Sequence, residues 1–179
     1  MRRAFIHLGP HKTGSTSFQE MLAKNEQGLN SKGVGFICQW ASNRKKHLEW
    51  RGKYSRDLRK GINDGLDIAD LVNNLRPHFR HLISWADSYN DIIISDENIL
   101  GWPLGHYILD NKNQQNFAFY PAAQAVFRAL RLELSAIYDD VSFCVINRKW
   151  EQLSKSIYKD WLRKYFPLHC ESEDRKSVV

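Results

Sequence analysis

The chain is short of cysteine and proline and has no long apolar run. Its three cysteines, Cys38, Cys144 and Cys170, are odd in number, far apart and in no C-x-x-C spacing. That pattern excludes a disulfide framework and a cysteine-rich zinc site, and it fits a reducing compartment, so a cytoplasmic location is expected. No stretch approaches the roughly 18 consecutive apolar residues of a membrane span, so a soluble chain is expected. Met1-Arg2-Arg3 carries the charge of a signal-peptide start. The apolar run behind it is short, is broken by His7 and leads straight into Gly9, so no cleaved leader is expected. There is no internal repeat, no domain linker and no Asp/His cluster to suggest a metal. The 179 residues are read as one domain, 1–179.

The composition is that of an ordinary globular protein, with 42% hydrophobic and 26% charged residues, enough for a sizeable core. A formal net charge of +6 favours anionic partners: nucleic acid, a sulfated or phosphorylated nucleotide, or an acidic glycan. Charge alone does not choose among them.

Periodicity gives the order of elements. Ala4 to Leu8 is a short β-prone run. Ser17 to Leu29 has helical spacing through Phe18, Met21, Leu22 and Leu29, ended by Asn30, Ser31 and Gly33. Gly33 to Cys38 is a candidate second strand. Asn43 to Lys60 is strongly basic, with Trp50 and Tyr54 interleaved. Three readings of it stay open: a solvated helical face, a nucleic-acid contact, or a clamp for an acidic acceptor. Ile68 to Trp85 is an amphipathic helix that Pro77 is expected to kink or break. Asp91-Ile92-Ile93-Ile94-Ser95 has the uninterrupted β-branched character of a strand buried on both faces of a parallel sheet.

Gly101 to Tyr120 is a long connection, expected to form part of an acceptor-binding lid. A helix follows over Pro121 to Tyr138, with Pro121 at its first position. Next come a buried strand over Val141 to Asn147 and a last helix over about Trp150 to Tyr165. Strands alternating with helices predict a three-layer α/β domain with a mainly parallel sheet of about four strands.

The chain is organised around Gly9-Pro10-His11-Lys12-Thr13-Gly14-Ser15-Thr16, between the first strand and the first helix. A strand, a turn bounded by two glycines, and a helix opening on hydroxyl residues leave backbone N–H groups free to hold an anion. The usual triphosphate pattern is G-x-x-x-x-G-K-[ST]. Here the glycine spacing is kept, but serine follows Gly14 and the lysine is Lys12, inside the loop. A lysine there leans towards a 5′-phosphate and the bond to whatever group that phosphate carries. Ser95 to Asn98 ends the buried strand, and in open α/β sheets functional groups stand at the carboxyl ends of strands, so both segments are expected on one edge.

The stretch His7 to Gln19 resembles the phosphate loop of the sulfotransferases that use 3′-phosphoadenylyl sulfate, in particular their bacterial carbohydrate-type branch. The resemblance implies that the loop and first helical turn, His11, Lys12, Thr13, Gly14, Ser15, Thr16 and Ser17, bind the 5′-phosphosulfate. Arg148 at a strand end and Ser156 on the next helix match the arginine and serine with which that family holds the 3′-phosphate; a guanidinium fork suits phosphate. Ser95-Asp96-Glu97 is similar to the family's acidic strand-end motif, which makes Glu97 the general base and Lys12 the group that neutralises the bridging oxygen.

The implied activity is transfer of a sulfuryl group to a hydroxyl or amine of a carbohydrate or small-molecule acceptor, leaving 3′-phosphoadenosine 5′-phosphate, with no metal. His106 and His11 are rival bases, since histidine titrates near neutrality. Relatives in that family usually run well beyond this length. A C-terminal part that helps to hold the adenosine is therefore expected to be missing, and a truncated, inactive copy is one alternative. The others are a phosphate-loop kinase or nucleotidase, disfavoured by the absence of lysine after Gly14, and a basic nucleic-acid-binding module.

Overall fold

The structure is a computed structural model, which describes residues 1–8, 15–101, 120, 122–144 and 155. The account below concerns the unit Met1–Ile146. Its elements are β1 (Arg3–His7), α1 (Ser15–Lys24), α2 (Glu26–Ser31), β2 (Val34–Ile37), α3 (Arg44–Asn63), α4 (Ile68–Ile83), β3 (Asp91–Ser95), α5 (Ala123–Ser135) and β4 (Asp140–Cys144). The strands form one four-stranded, all-parallel sheet in the order β2-β3-β1-β4. Each parallel pair needs a crossover, and the helices supply it.

The two faces of the sheet are covered by different segments. Ala4, Ile6, Ile37, Ile92 and Ile94 join residues of α3, α4 and α5 in the main core. Phe36, Cys38 and Ala41 form a smaller core, with Leu22, Ala23, Leu29 and Ile93 packed against it from the other side. Successive strand residues point to opposite faces, so Ile92 and Ile94 go one way and Ile93 the other. The chain moves in one direction along the sheet after β1 and in the other after β2 and β3. With right-handed crossovers, that reversal puts α1 and α2 on one face and the remaining helices on the other. The result is the expected three-layer α/β domain. Ile6, Ile92 and Ile94 are fully buried, and each such side chain contributes about 1.5–3 kcal/mol of transfer free energy.

Four local expectations are corrected. The first helix is divided: Asn25 donates its side-chain amide to the Met21 carbonyl at 2.8 Å, and its N–H bonds Leu22 O rather than the next carbonyl back, so α1 ends and α2 begins anew. Pro77 lies inside α4 without breaking it. It sits on the exposed face, as does Asn73, whose carbonyl it cannot bond, while Leu75, Phe79 and Leu82 hold the opposite face in the core.

The helix expected from Pro121 begins at Ala123, and Pro121 itself lies outside the described residues. Finally, β4 is half-buried rather than buried, because it stands at the end of the described strand order and packs on one neighbour only. The helix expected over 150–165 lies outside the described residues apart from Lys155, as does most of the 101–120 connection.

Gly33, at φ 75°, turns the chain into β2. Gly35 is required by packing: a Cβ there would lie 2.7 Å from Tyr89 Cδ2 and 3.0 Å from Ala86 Cβ. Among the described residues no helix is long and apolar enough to cross a membrane. Cys38 is buried and Cys144 exposed, both as free thiols; burial pushes the Cys38 thiol up to about 12, so it is chemically inert at neutral pH.

Candidate functional site at the carboxyl edge of the sheet

The parallel register pairs His7 with Ser95 on one side and with Cys144 on the other. Leu8 N–H extends the ladder by donating to Cys144 O at 3.0 Å. The carboxyl ends of β1, β3 and β4 are therefore adjacent. The segment leading to α1 leaves from the first and the Ser95-Asp96-Glu97 turn from the second.

At this edge, His7 Nδ1 and Ser95 Oγ are hydrogen-bonded at 2.8 Å, with His7 only 4% exposed and Ser95 fully buried. The His7 ring meets the Phe18 ring edge-on at a centroid distance of 4.9 Å. Burial pushes the imidazole below its ordinary value, and the Glu97 carboxylate offsets part of that shift. Among the described residues, His7 Nε2 has no hydrogen-bond partner.

The acidic turn is rigidly built. Asp96 caps the 3₁₀ turn Glu97–Leu100, accepting through Oδ1 from the Asn98 N–H and from Asn98 Nδ2, both at 2.8 Å. Its other oxygen, Oδ2, lies 3.0 Å from His47 Nε2, in a polar contact off the hydrogen-bond axis, with both side chains 0% exposed. Burial alone pushes the Asp96 carboxyl up; His47 and the two Asn98 donors outweigh that and hold it below the usual carboxylate range. His47 is flanked by the Trp50 and Trp85 rings. Glu97, the first residue of the turn, is half-buried.

Of the residues assigned from the sequence, Ser15 opens α1, and Thr16 and Ser17 are exposed in its first turn. Glu97 is placed on the same sheet edge as the end of β1. His11, Lys12, Thr13, Gly14, Arg148, Ser156 and the rival base His106 lie outside the described residues. Among the described residues no group of three or more His, Cys, Asp or Glu could hold a metal ion.

The basic tract 44–60 is helix α3. Its Lys45, Lys46, Lys53, Arg56, Arg59 and Lys60 are exposed, while His47, Trp50, Tyr54 and Leu58 face inward. Trp50 stacks on Tyr54 at 4.9 Å and donates Nε1–H to His78 O at 2.9 Å, and the Tyr54 hydroxyl bonds Ile99 O. The interleaved aromatics are thus core residues, closed to stacking on nucleic-acid bases.

The sequence places Ser95 in the acidic strand-end motif and His47 in the basic tract, but gives neither these two nor the buried His7 and Gln19 a role of their own. His7 carried a signal, as the polar residue that interrupts an apolar strand. Gln19 in α1 is 1% exposed, and neither its Oε1 nor its Nε2 has a partner among the described residues. An amide buried in this way costs about 1–3 kcal/mol. Gln19→Leu is therefore expected to raise the unfolding free energy by about 1–2 kcal/mol, read from the urea midpoint at unchanged slope. A midpoint that stays or falls would show that the amide is satisfied in solution. No protein-family model, curated protein or solved structure matches the chain.

Proposed function

We propose that the chain is a sulfotransferase that moves a sulfuryl group from 3′-phosphoadenylyl sulfate to a hydroxyl or amine of a carbohydrate or small acceptor. One observation carries the reading: the parallel register sets the end of β1 at His7 beside the end of β3 at Ser95, two residues before Glu97. A donor held after the first and an acceptor activated after the second would meet over a single sheet edge, the usual place for ligands in open α/β sheets.

Sulfuryl transfer is chemically close to phosphoryl transfer, so the work is positioning and charge stabilisation. The acceptor oxygen or nitrogen attacks sulfur in line. As its bond to sulfur forms, the bond from sulfur to the bridging oxygen breaks, and Glu97 takes the acceptor's proton. Lys12 neutralises the charge left on the departing phosphate. In this reading Arg148 and Ser156 hold the 3′-phosphate, and the solvent face of α3 attracts an acidic or polar acceptor.

The test is calorimetry with 3′-phosphoadenosine 5′-phosphate, AMP, magnesium-ATP and a DNA duplex. The first is expected to bind more tightly than AMP by about 1.5–3 kcal/mol, the size of a charge-assisted contact to the extra phosphate. Equal affinity for AMP would remove Arg148 from the site. Tighter binding of magnesium-ATP would make the chain a kinase or nucleotidase. DNA affinity that falls steeply with salt, about 0.9 log units per log unit for each phosphate neutralised, and that persists at physiological salt would make it a nucleic-acid binder.

A further inference from the structure

The His7 and Ser95 pair has a chemistry that the proposed reaction does not yet use. Ser95 Oγ meets His7 Nδ1 and no other acceptor among the described residues. With Nδ1–H donating, both the Ser95 proton and the Nε2 lone pair would go unused, whereas with the Ser95 O–H donating only one group does, so the Ser95 O–H donates and Nδ1 accepts. A neutral imidazole that accepts at Nδ1 carries its proton at Nε2. Burial keeps the ring neutral, since the shift is downward. The consequence is an N–H donor, itself buried and without a partner among the described residues. Buried donors in native proteins are almost always bonded, and one that is not calls for an explanation.

Its position gives one. His7 is the last residue of β1, directly before the segment that leads to α1, and its ring is braced on two sides by Ser95 and by the edge of Phe18. Two contacts that fix a ring orientation are the usual support behind a group that must point at a ligand. Glu97, which acts on the imidazole through its charge, stands on the adjoining strand end.

The geometry points to His7 as an anion-binding group of this edge: held in one tautomer by Ser95, it donates Nε2–H to a non-bridging oxygen of the phosphosulfate or 5′-phosphate. Ser95 is then a positioning residue acting through His7. This inference rests on the proposed function for the identity of the ligand, but not for the tautomer or the donor.

The experiment is ¹⁵N NMR of the histidine rings in the full chain, alone and with saturating 3′-phosphoadenosine 5′-phosphate, inorganic sulfate or ATP. Without ligand, His7 is expected to show Nδ1 unprotonated and Nε2 protonated. With the bisphosphate, the Nε2–H resonance should move downfield and exchange more slowly with water. The opposite tautomer, or a bisphosphate that binds while leaving His7 unmoved, would overturn the inference and leave the sulfotransferase reading intact.

If the bisphosphate fails to bind while ATP or sulfate moves the resonance, the donor assignment holds and the sulfotransferase reading falls. If no anion moves it, the inference falls. In calorimetry, His7→Phe keeps a ring in place and is expected to weaken the bisphosphate about 10- to 100-fold. His7→Gln, whose amide can reach the Nε2 position, should recover part of that loss. Ser95→Ala should cost about 3- to 10-fold and leave His7 in a mixture of tautomers, a change that loss of packing would not produce.

Discussion

Asp96→Ala is expected to destabilise the domain by about 3–5 kcal/mol, a large share of the 5–15 kcal/mol of an ordinary fold. The side chain is fully buried, its Oδ1 is the cap of the turn that carries Glu97, and its Oδ2 faces His47 at 3.0 Å. Truncation removes both hydrogen bonds from Asn98 and leaves the His47 ring among Trp50 and Trp85 with neither nitrogen in a polar contact among the described residues. A buried pair of this kind adds little over a well-packed apolar pair, yet breaking it by removing one partner leaves the other desolvated. The measurement is chemical denaturation of the single variants and of the double variant Asp96→Ala with His47→Leu. The double variant should lose clearly less than the sum of the singles. Strict additivity would show that the two side chains do not interact in solution.

The same group shapes the response to acid. Asp96, Asp91 and Glu133 are held below the usual carboxylate range. For Asp91 the chief cause is its hydrogen bond with the Arg3 guanidinium; for Glu133, Arg80 and Arg76 outweigh the upward push of burial. A depressed carboxyl contributes stability above its unfolded value, near 4, and loses it as pH falls towards the folded value. His7 and His78 are both shifted down, chiefly by burial, so below about 6.5 the unfolded chain takes up protons that they refuse in the fold. Stability should therefore decline in two stages on acidification, first below about pH 6.5 and then more steeply below about pH 4.

Glu97→Gln is expected to lower turnover by about 10²–10⁴-fold, the usual contribution of a general base. It should leave the affinity for 3′-phosphoadenosine 5′-phosphate within a factor of about three. The amide keeps the size of the carboxylate and its place at the start of the 3₁₀ turn, while Asp96, which caps that turn, is untouched. Lys12→Ala, in contrast, should harm both binding and turnover, because Lys12 is assigned to ground-state phosphate and transition-state charge alike. The assay needs an acceptor, found by screening glycans and small hydroxylated or amino compounds for sulfate transfer. A Glu97→Gln protein that retains full turnover beside an inactive His106→Ala protein would put the base on the long connection and reduce Glu97 to part of the turn.

The strands and helices were legible wherever a local pattern states its own environment. Ile92-Ile93-Ile94 announces a strand covered on both faces, and both faces are covered. Ile68, Leu71, Val72, Leu75, Phe79, Leu82 and Ile83 announce one buried face of α4, and all but Ile68, which is exposed in the first turn, are buried. The aromatic and basic mixture of α3 left three readings open, because charge density says nothing about which side of a helix packs. Only burial of Trp50 and Tyr54 shows that its cations and its aromatics have separate tasks. Of the kink or break expected at Pro77, the break does not occur, since α4 runs through it with its apolar face held in the core.

By itself, then, the sequence determined the alternation of elements, the parallel sheet and the turn that follows β3. Each of these follows from hydrophobic period and turn chemistry over a few neighbouring residues. Tertiary structure alone decided the strand order that makes β1 the neighbour of both β3 and β4, and with it the half-buried state of β4. It also decided the pairs His7 with Ser95 and His47 with Asp96. Such pairs join residues far apart in the chain, and nothing in either local stretch encodes the partner. The strand register and the closing of α3 over the end of β3 bring them together, and burial then makes each contact matter.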